Sequence, residues 1–143
     1  MFNLTKRSRM IYFGIIAFLM ISELVTANIY SLFFALEKTA ELMGVPVDEE
    51  RIRLVILIFL DAFPGLGAVL AVRAYRGNIS PELGRKGVII TTIGLLAYGL
   101  YQLWAATFLL GFMPTFHQGV GIFYASLGVI SWFVGEDMRK KQP

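Results

Sequence analysis

The sequence predicts an all-α integral membrane protein, an antiparallel four-transmembrane-helix bundle with both termini in the cytoplasm. Three observations carry that expectation. Long apolar runs recur four times along the 143 residues, each near the roughly 20 residues a helix needs to cross a bilayer. Charged residues make up 16% of the chain, against about 25% in a soluble domain, and they collect between the runs. The basic residues fall in alternate intervening segments, as orientation in a membrane requires. With 57% hydrophobic residues and a mean hydropathy of +0.67, the chain reads as one membrane domain, 1–143.

The first span, 10–36, is interrupted only by Glu23. "ALEKTAELMG" is expected to carry that helix past the membrane, with Gly44 as the C′ residue and Pro46 beyond it. Asp48 is the expected cap of the second helix, with Glu49 and Glu50 beside its positive end. The second span, 54–72, is interrupted only by Asp61. Ser80-Pro81, a cap followed by proline at the first helical position, starts the third helix, whose span is 87–113. Thr115 lies three residues before Gln118, a capping box for the fourth and shortest span, 118–135. Backbone groups in hydrocarbon must pair within their own segment, and the runs lack the alternation of barrel strands, so all four should be helices. Short loops make successive helices antiparallel neighbours.

Charge sets the direction. Lys6, Arg7 and Arg9 precede the first span, Arg73, Arg76, Arg85 and Lys86 lie between the second and third, and Arg139, Lys140 and Lys141 follow the fourth. The first loop has Lys38, Arg51 and Arg53, outnumbered by Glu37, Glu41, Asp48, Glu49 and Glu50, and the third has no Lys or Arg. Basic segments stay inside, which puts both termini in the cytoplasm and makes "NIS" at Asn78 a poor glycosylation site. "KRSR" followed by an apolar stretch and "VTA" resembles a cleavable signal peptide, but Glu23 and the continuing apolar pattern favour an uncleaved helix.

Several chemistries are disfavoured. There is no Cys, and one His does not make a multi-histidine metal site. The net charge of +3 sits at span ends and gives no nucleic-acid signature. "GNISPELGRKG" matches neither a Walker loop nor a dinucleotide fingerprint. The expectation is therefore no enzyme, no metal and no cofactor.

What remains is polar chemistry inside the membrane. A carboxylate at mid-membrane costs about 2.5–3.5 kcal/mol on insertion scales, so Glu23 and Asp61 should face protein or a wet cavity. With the first span ending near Leu36 and the second span starting near Leu54, the two acids are expected to differ in depth by roughly one to two turns, without sharing a proton. Thr91, Tyr98 and Gln102 fall on one face of the third helix and offer hydrogen bonds to either acid. Pro64, followed by Gly65, should bend the second helix beside Asp61 as a hinge. Gly121, Ala125 and Gly128 form a small-residue packing face on the fourth helix. Trp104 lies too deep in its span for a simple interfacial belt residue.

The leading functional expectation is a non-enzymatic structural or accessory subunit of a membrane complex, in which the acids act as polar pins or meet a partner subunit. The alternative is a small oligomeric transporter or channel with Glu23 and Asp61 as proton or cation sites. A lipid- or quinone-contacting groove near His117 ranks third. The expected partners are the lipid bilayer and either other membrane subunits or further copies of this chain.

Overall fold

Apolar runs bounded by caps give rise to seven helices in the computed structural model, which describes residues 3–109 and 114–140. The end of the expected third span, and Lys141, lie outside the described residues. No strand occurs among the described residues. Helix α1 (Lys6–Glu23) is capped by Thr5, whose hydroxyl accepts the Ser8 amide at 3.1 Å. It passes through a π-helical turn, Leu24–Ile29, into α2 (Tyr30–Phe34). Next come α3 (Leu36–Met43), α4 (Val47–Tyr75), α5 (Pro81–Phe108), α6 (Pro114–Val134) and the short α7 (Glu136–Arg139).

Lys6–Phe34, Val47–Tyr75 and Pro81–Phe108 are long and apolar enough to cross a membrane by length and composition. The 21-residue α6 is not one of those three, its first turns carrying the polar His117 and Gln118. Large apolar side chains crowd the outer surface: Phe18, Phe34 and Phe108 are each about three-quarters exposed. Such a surface is unfavourable in water and matches a hydrocarbon environment.

Small residues set how the long helices cross. A Cβ on Gly87 would lie 2.6 Å from the Gly67 carbonyl oxygen, and one on Gly94 would lie 2.7 Å from Cδ of Pro64. The pairs 67/87 and 64/94 fix α4 and α5 as antiparallel. On the next helix, a Cβ on Gly99 would meet the Gly121 oxygen at 2.5 Å, and one on Gly128 would meet Leu96. Gly121, Ala125 and Gly128 thus lie against α5 within the chain, where absent side chains let the backbones approach. Gly65 faces Met20 and Ile21 of α1. Near the end that holds both termini, α1 also meets α6. Tyr12 donates to the Leu127 carbonyl at 2.9 Å, and Arg9 donates to the Val134 carbonyl at 2.5 Å. Phe13, Ile16, Met20, Leu57, Val88 and Leu95 fill the space between the helices.

The boundaries differ from the sequence reading in three places. The first helix stops at Ala35, whose φ of −144° and ψ of 29° are not helical, so α3 is a separate helix. Its end is as expected, with Gly44 at φ 70° and Val45 donating to the Ala40 carbonyl. Pro46, not Asp48, holds the cap position of α4, because Val47 is already helical; Asp48 pairs with Arg51 instead. Thr115 lies inside α6 and caps nothing, while Gln118 turns to Thr107 at 3.4 Å. Helix α4 runs through Pro64, whose ring occupies the room left by Gly94.

Candidate functional site: a buried carboxyl pair

Asp61 lies on the inner face of α4 with no solvent exposure. The side-chain amide of Asn28 donates to its Oδ2, and the Glu23 carboxyl lies within hydrogen-bond reach of it. Glu23 also accepts from the Tyr124 hydroxyl, at a long 3.4 Å. Tyr124 packs edge-on against Tyr98 with ring centres 4.5 Å apart, and Tyr98 accepts from Gln102 Nε2 at 3.1 Å. Three oxygens of this cluster are buried without a hydrogen-bond donor: Glu23 Oε2, Asp61 Oδ1 and Gln102 Oε1. Neither acid forms an ion pair with Lys or Arg among the described residues.

The juxtaposition of Glu23 and Asp61 corrects the depth expected from sequence. The offset of one to two turns was counted from the span ends at Leu36 and Leu54. The first rod ends at Phe34 and α4 begins at Val47, so the acids lie 11 and 14 residues from those ends. At about 1.5 Å per residue those separations differ by less than one turn.

Asn28 was invisible to periodicity. In an α-helix, a residue five beyond Glu23 points about 140° away from it, at 3.6 residues per turn. The π turn that starts at Leu24 spaces its hydrogen bonds i to i+5 and returns Asn28 to the side that faces Asp61. Such single π turns occur often at functional sites. No signal in the sequence announces this one, apart from an Asn within an apolar run.

The other candidates divide. Tyr98 and Gln102 belong to the cluster. Thr91 does not: two turns from Tyr98, its hydroxyl donates to the Gly87 carbonyl at 2.8 Å, at the crossing with Gly67. Pro64 and Gly65 lie one turn beyond Asp61, at the contacts with α5 and α1. Trp104 is about half exposed on the outer surface, between Tyr101 and Phe108.

A second polar group was missed altogether. Glu50 and Arg53, read from sequence as loop charges, are buried as an ion pair, with Arg53 Nη2 2.5 Å from Glu50 Oε1 and Nε at 3.0 Å. Their charges act on Tyr101 and His117, and His117 Nε2 is itself buried without a partner. The available signal was the i, i+3 spacing, which places both residues on one face once the helix starts at Val47. At the termini end, Arg9 meets Asp137 at 3.3 Å and Tyr75 donates to Asp137 at 2.6 Å.

The carboxyl pair has a definite chemical capacity. Two carboxylates this close repel each other, whereas one shared proton turns the contact into a short, charge-assisted hydrogen bond. Tyr98, Tyr124 and Gln102 continue the polar surface away from it on the side of α3. Phe13, Ile16, Met20 and Leu95 close the opposite side. No family model matches the sequence, and no curated protein or solved structure matches the chain.

Proposed function

We propose that this chain is a four-span membrane protein with both termini cytoplasmic, and that Glu23 and Asp61 form a proton-binding site for a small proton-coupled transporter. The observation that carries the reading is the contact of the two carboxyls within one chain, each keeping a buried oxygen without a donor. With both acids ionised those oxygens have no donor, which costs about 1–3 kcal/mol for each unsatisfied buried polar group, and a proton shared between the two carboxyls supplies one. A site that takes up and releases protons needs acceptor capacity in reserve. Pro64 and the π turn flank the pair on α4 and α1 and are the natural places for these helices to flex. The reading assigns the chain no catalytic step.

The test is proton flux in sealed liposomes holding the purified chain, with an internal pH dye and an imposed potassium diffusion potential. The wild type should acidify or alkalinise the lumen according to the sign of the potential. Asp61→Asn and Glu23→Gln should each lower that flux at least about ten-fold while the protein remains folded, the scale expected when a proton-transferring group is removed. Flux that persists unchanged in both variants would sink the proposal.

A second reading, an accessory subunit, draws on a different observation. The α3 end of the first rod is poorly covered, with Val25, Tyr30, Phe33 and Phe34 all more than half exposed. A partner helix would cover that face as well as lipid does. Absence of flux in the wild type, together with stoichiometric foreign subunits on gentle solubilisation, would move this reading to first place.

A further inference from the structure

A cleft of about 770 Å³ opens at the termini end, away from the carboxyl pair. Its walls come from the last turn of α4 (Ala74 and Tyr75), the first turns of α5 (Pro81, Glu82 and Arg85), and α7 with Met138, while Lys6 and Lys140 stand at its rim. The acids in or beside it are already engaged. Asp137 is held by Arg9 and Tyr75, Glu136 by Lys140 at 2.8 Å, and Glu82 faces Lys86 at 4.0 Å. Lys6 and Arg85 have no acidic partner among the described residues. Moreover, Arg85 Nε is buried without an acceptor. A guanidinium N–H in that position loses water and gains nothing from the protein, a cost that an acceptor able to reach it would remove.

We infer that this cleft binds the phosphate group of an anionic headgroup, with Arg85 and Lys6 as its cationic ligands. Three features point to a phosphate carried by a lipid. The cleft lies where α4 ends and α5 begins, so it falls at headgroup level if those helices span a bilayer. Its inner wall is apolar, made by Ala74, the Tyr75 ring and Met138, next to the cations. Basic pockets between spanning helices on the cytoplasmic side are a recurrent way to hold acidic headgroups, and Arg offers a planar fork that matches phosphate oxygens. A free phosphate ester has the same recognition chemistry, and the experiment separates the two sources.

The purified full chain in a maltoside detergent is heated with increasing phosphatidylglycerol, phosphatidylcholine or glycerol 3-phosphate, and unfolding is followed by tryptophan fluorescence. Phosphatidylglycerol should raise the midpoint saturably and phosphatidylcholine should not. The Lys6→Gln/Arg85→Gln pair should require about ten-fold more phosphatidylglycerol, as expected for losing a charge-assisted contact. The Arg73→Gln/Arg76→Gln pair removes the same charge from exposed positions outside the cleft and should shift the requirement less than about two-fold, since such charges act only through screened attraction. Arg85→Lys keeps the charge and loses the buried Nε, so it should still weaken binding; it serves if the double variant fails to fold. Protection by glycerol 3-phosphate alone would identify a soluble ester as the ligand, and protection only by the lipid would identify the headgroup. Equal shifts in both charge pairs, an unchanged Arg85→Lys variant, or protection by neither phosphatidylglycerol nor glycerol 3-phosphate beyond that given by phosphatidylcholine would overturn the assignment.

Discussion

The two ends of the molecule treat buried polarity in opposite ways. At the termini end nearly every polar group is answered. Arg9 binds Val134 and Asp137, Tyr75 binds Asp137, and Tyr12 reaches both Leu127 and Ser131, the last at 2.9 Å. The exception there, Arg85 Nε, belongs to a residue that lines a cleft. From the carboxyl pair toward α3, Glu23 Oε2, Asp61 Oδ1, Gln102 Oε1 and His117 Nε2 are all buried without partners. The first pattern is what a clasp holding α1, α4 and α7 together needs. The second lowers stability wherever it occurs, and it falls in the half of the protein that holds the proposed proton site.

The comparison breaks most sharply at Glu50–Arg53, the satisfied pair in the otherwise unsatisfied half. Arg53→Met leaves Glu50 as an uncompensated buried charge and should destabilise the chain by about 3–5 kcal/mol, measured by denaturant titration in detergent micelles. Adding Glu50→Gln should recover much of that loss, because the stranded charge is then gone. If Arg53→Met alone is harmless, the pair is open to water and this half is less dry than its burial implies. Arg9→Ala comes next. It strips a donor from Val134 and the cation beside the half-exposed Asp137, for an expected loss of about 1–3 kcal/mol by the same measurement. Proton flux through the carboxyl pair should be unaffected in whatever fraction stays folded. A flux defect from Arg9→Ala would mean that the two ends are coupled.

The long helices and the acids within them were legible because hydropathy and charge placement are carried by single residues. The small-residue face at Gly121, Ala125 and Gly128 was legible for the same reason. What sequence could not supply was register. The relative depth of Glu23 and Asp61 was counted from apolar span ends at Leu36 and Leu54, whereas the helices that carry them run to Phe34 and from Val47. Glu50 and Arg53, counted with the charges of the first loop, share one face of α4 and pack as a buried pair. Asn28 was hidden more deeply, since a π turn changes the angular spacing on which every helical-face reading depends. Thr91 shows the converse error. It shares a face with Tyr98, but two turns of separation place it at a glycine crossing, where its hydroxyl is satisfied by its own helix.

The smallest expected effect is also the most discriminating. Gln102 lies one turn from Tyr98, donates to it at 3.1 Å and leaves its own carbonyl oxygen unpaired. Gln102→Met has a similar length and removes both the donor and the orphaned oxygen. The lost hydrogen bond is worth about 0.5–1.5 kcal/mol, and relief of the unsatisfied oxygen offsets it by about 1–3 kcal/mol, so stability should stay level or rise slightly. If the unpaired groups serve only packing, nothing else should change. If they connect the carboxyl pair with the α3 end, proton flux should fall although the protein is no less stable. A variant that gains stability while losing flux separates the two explanations of the orphaned groups, because a pin has no activity to lose.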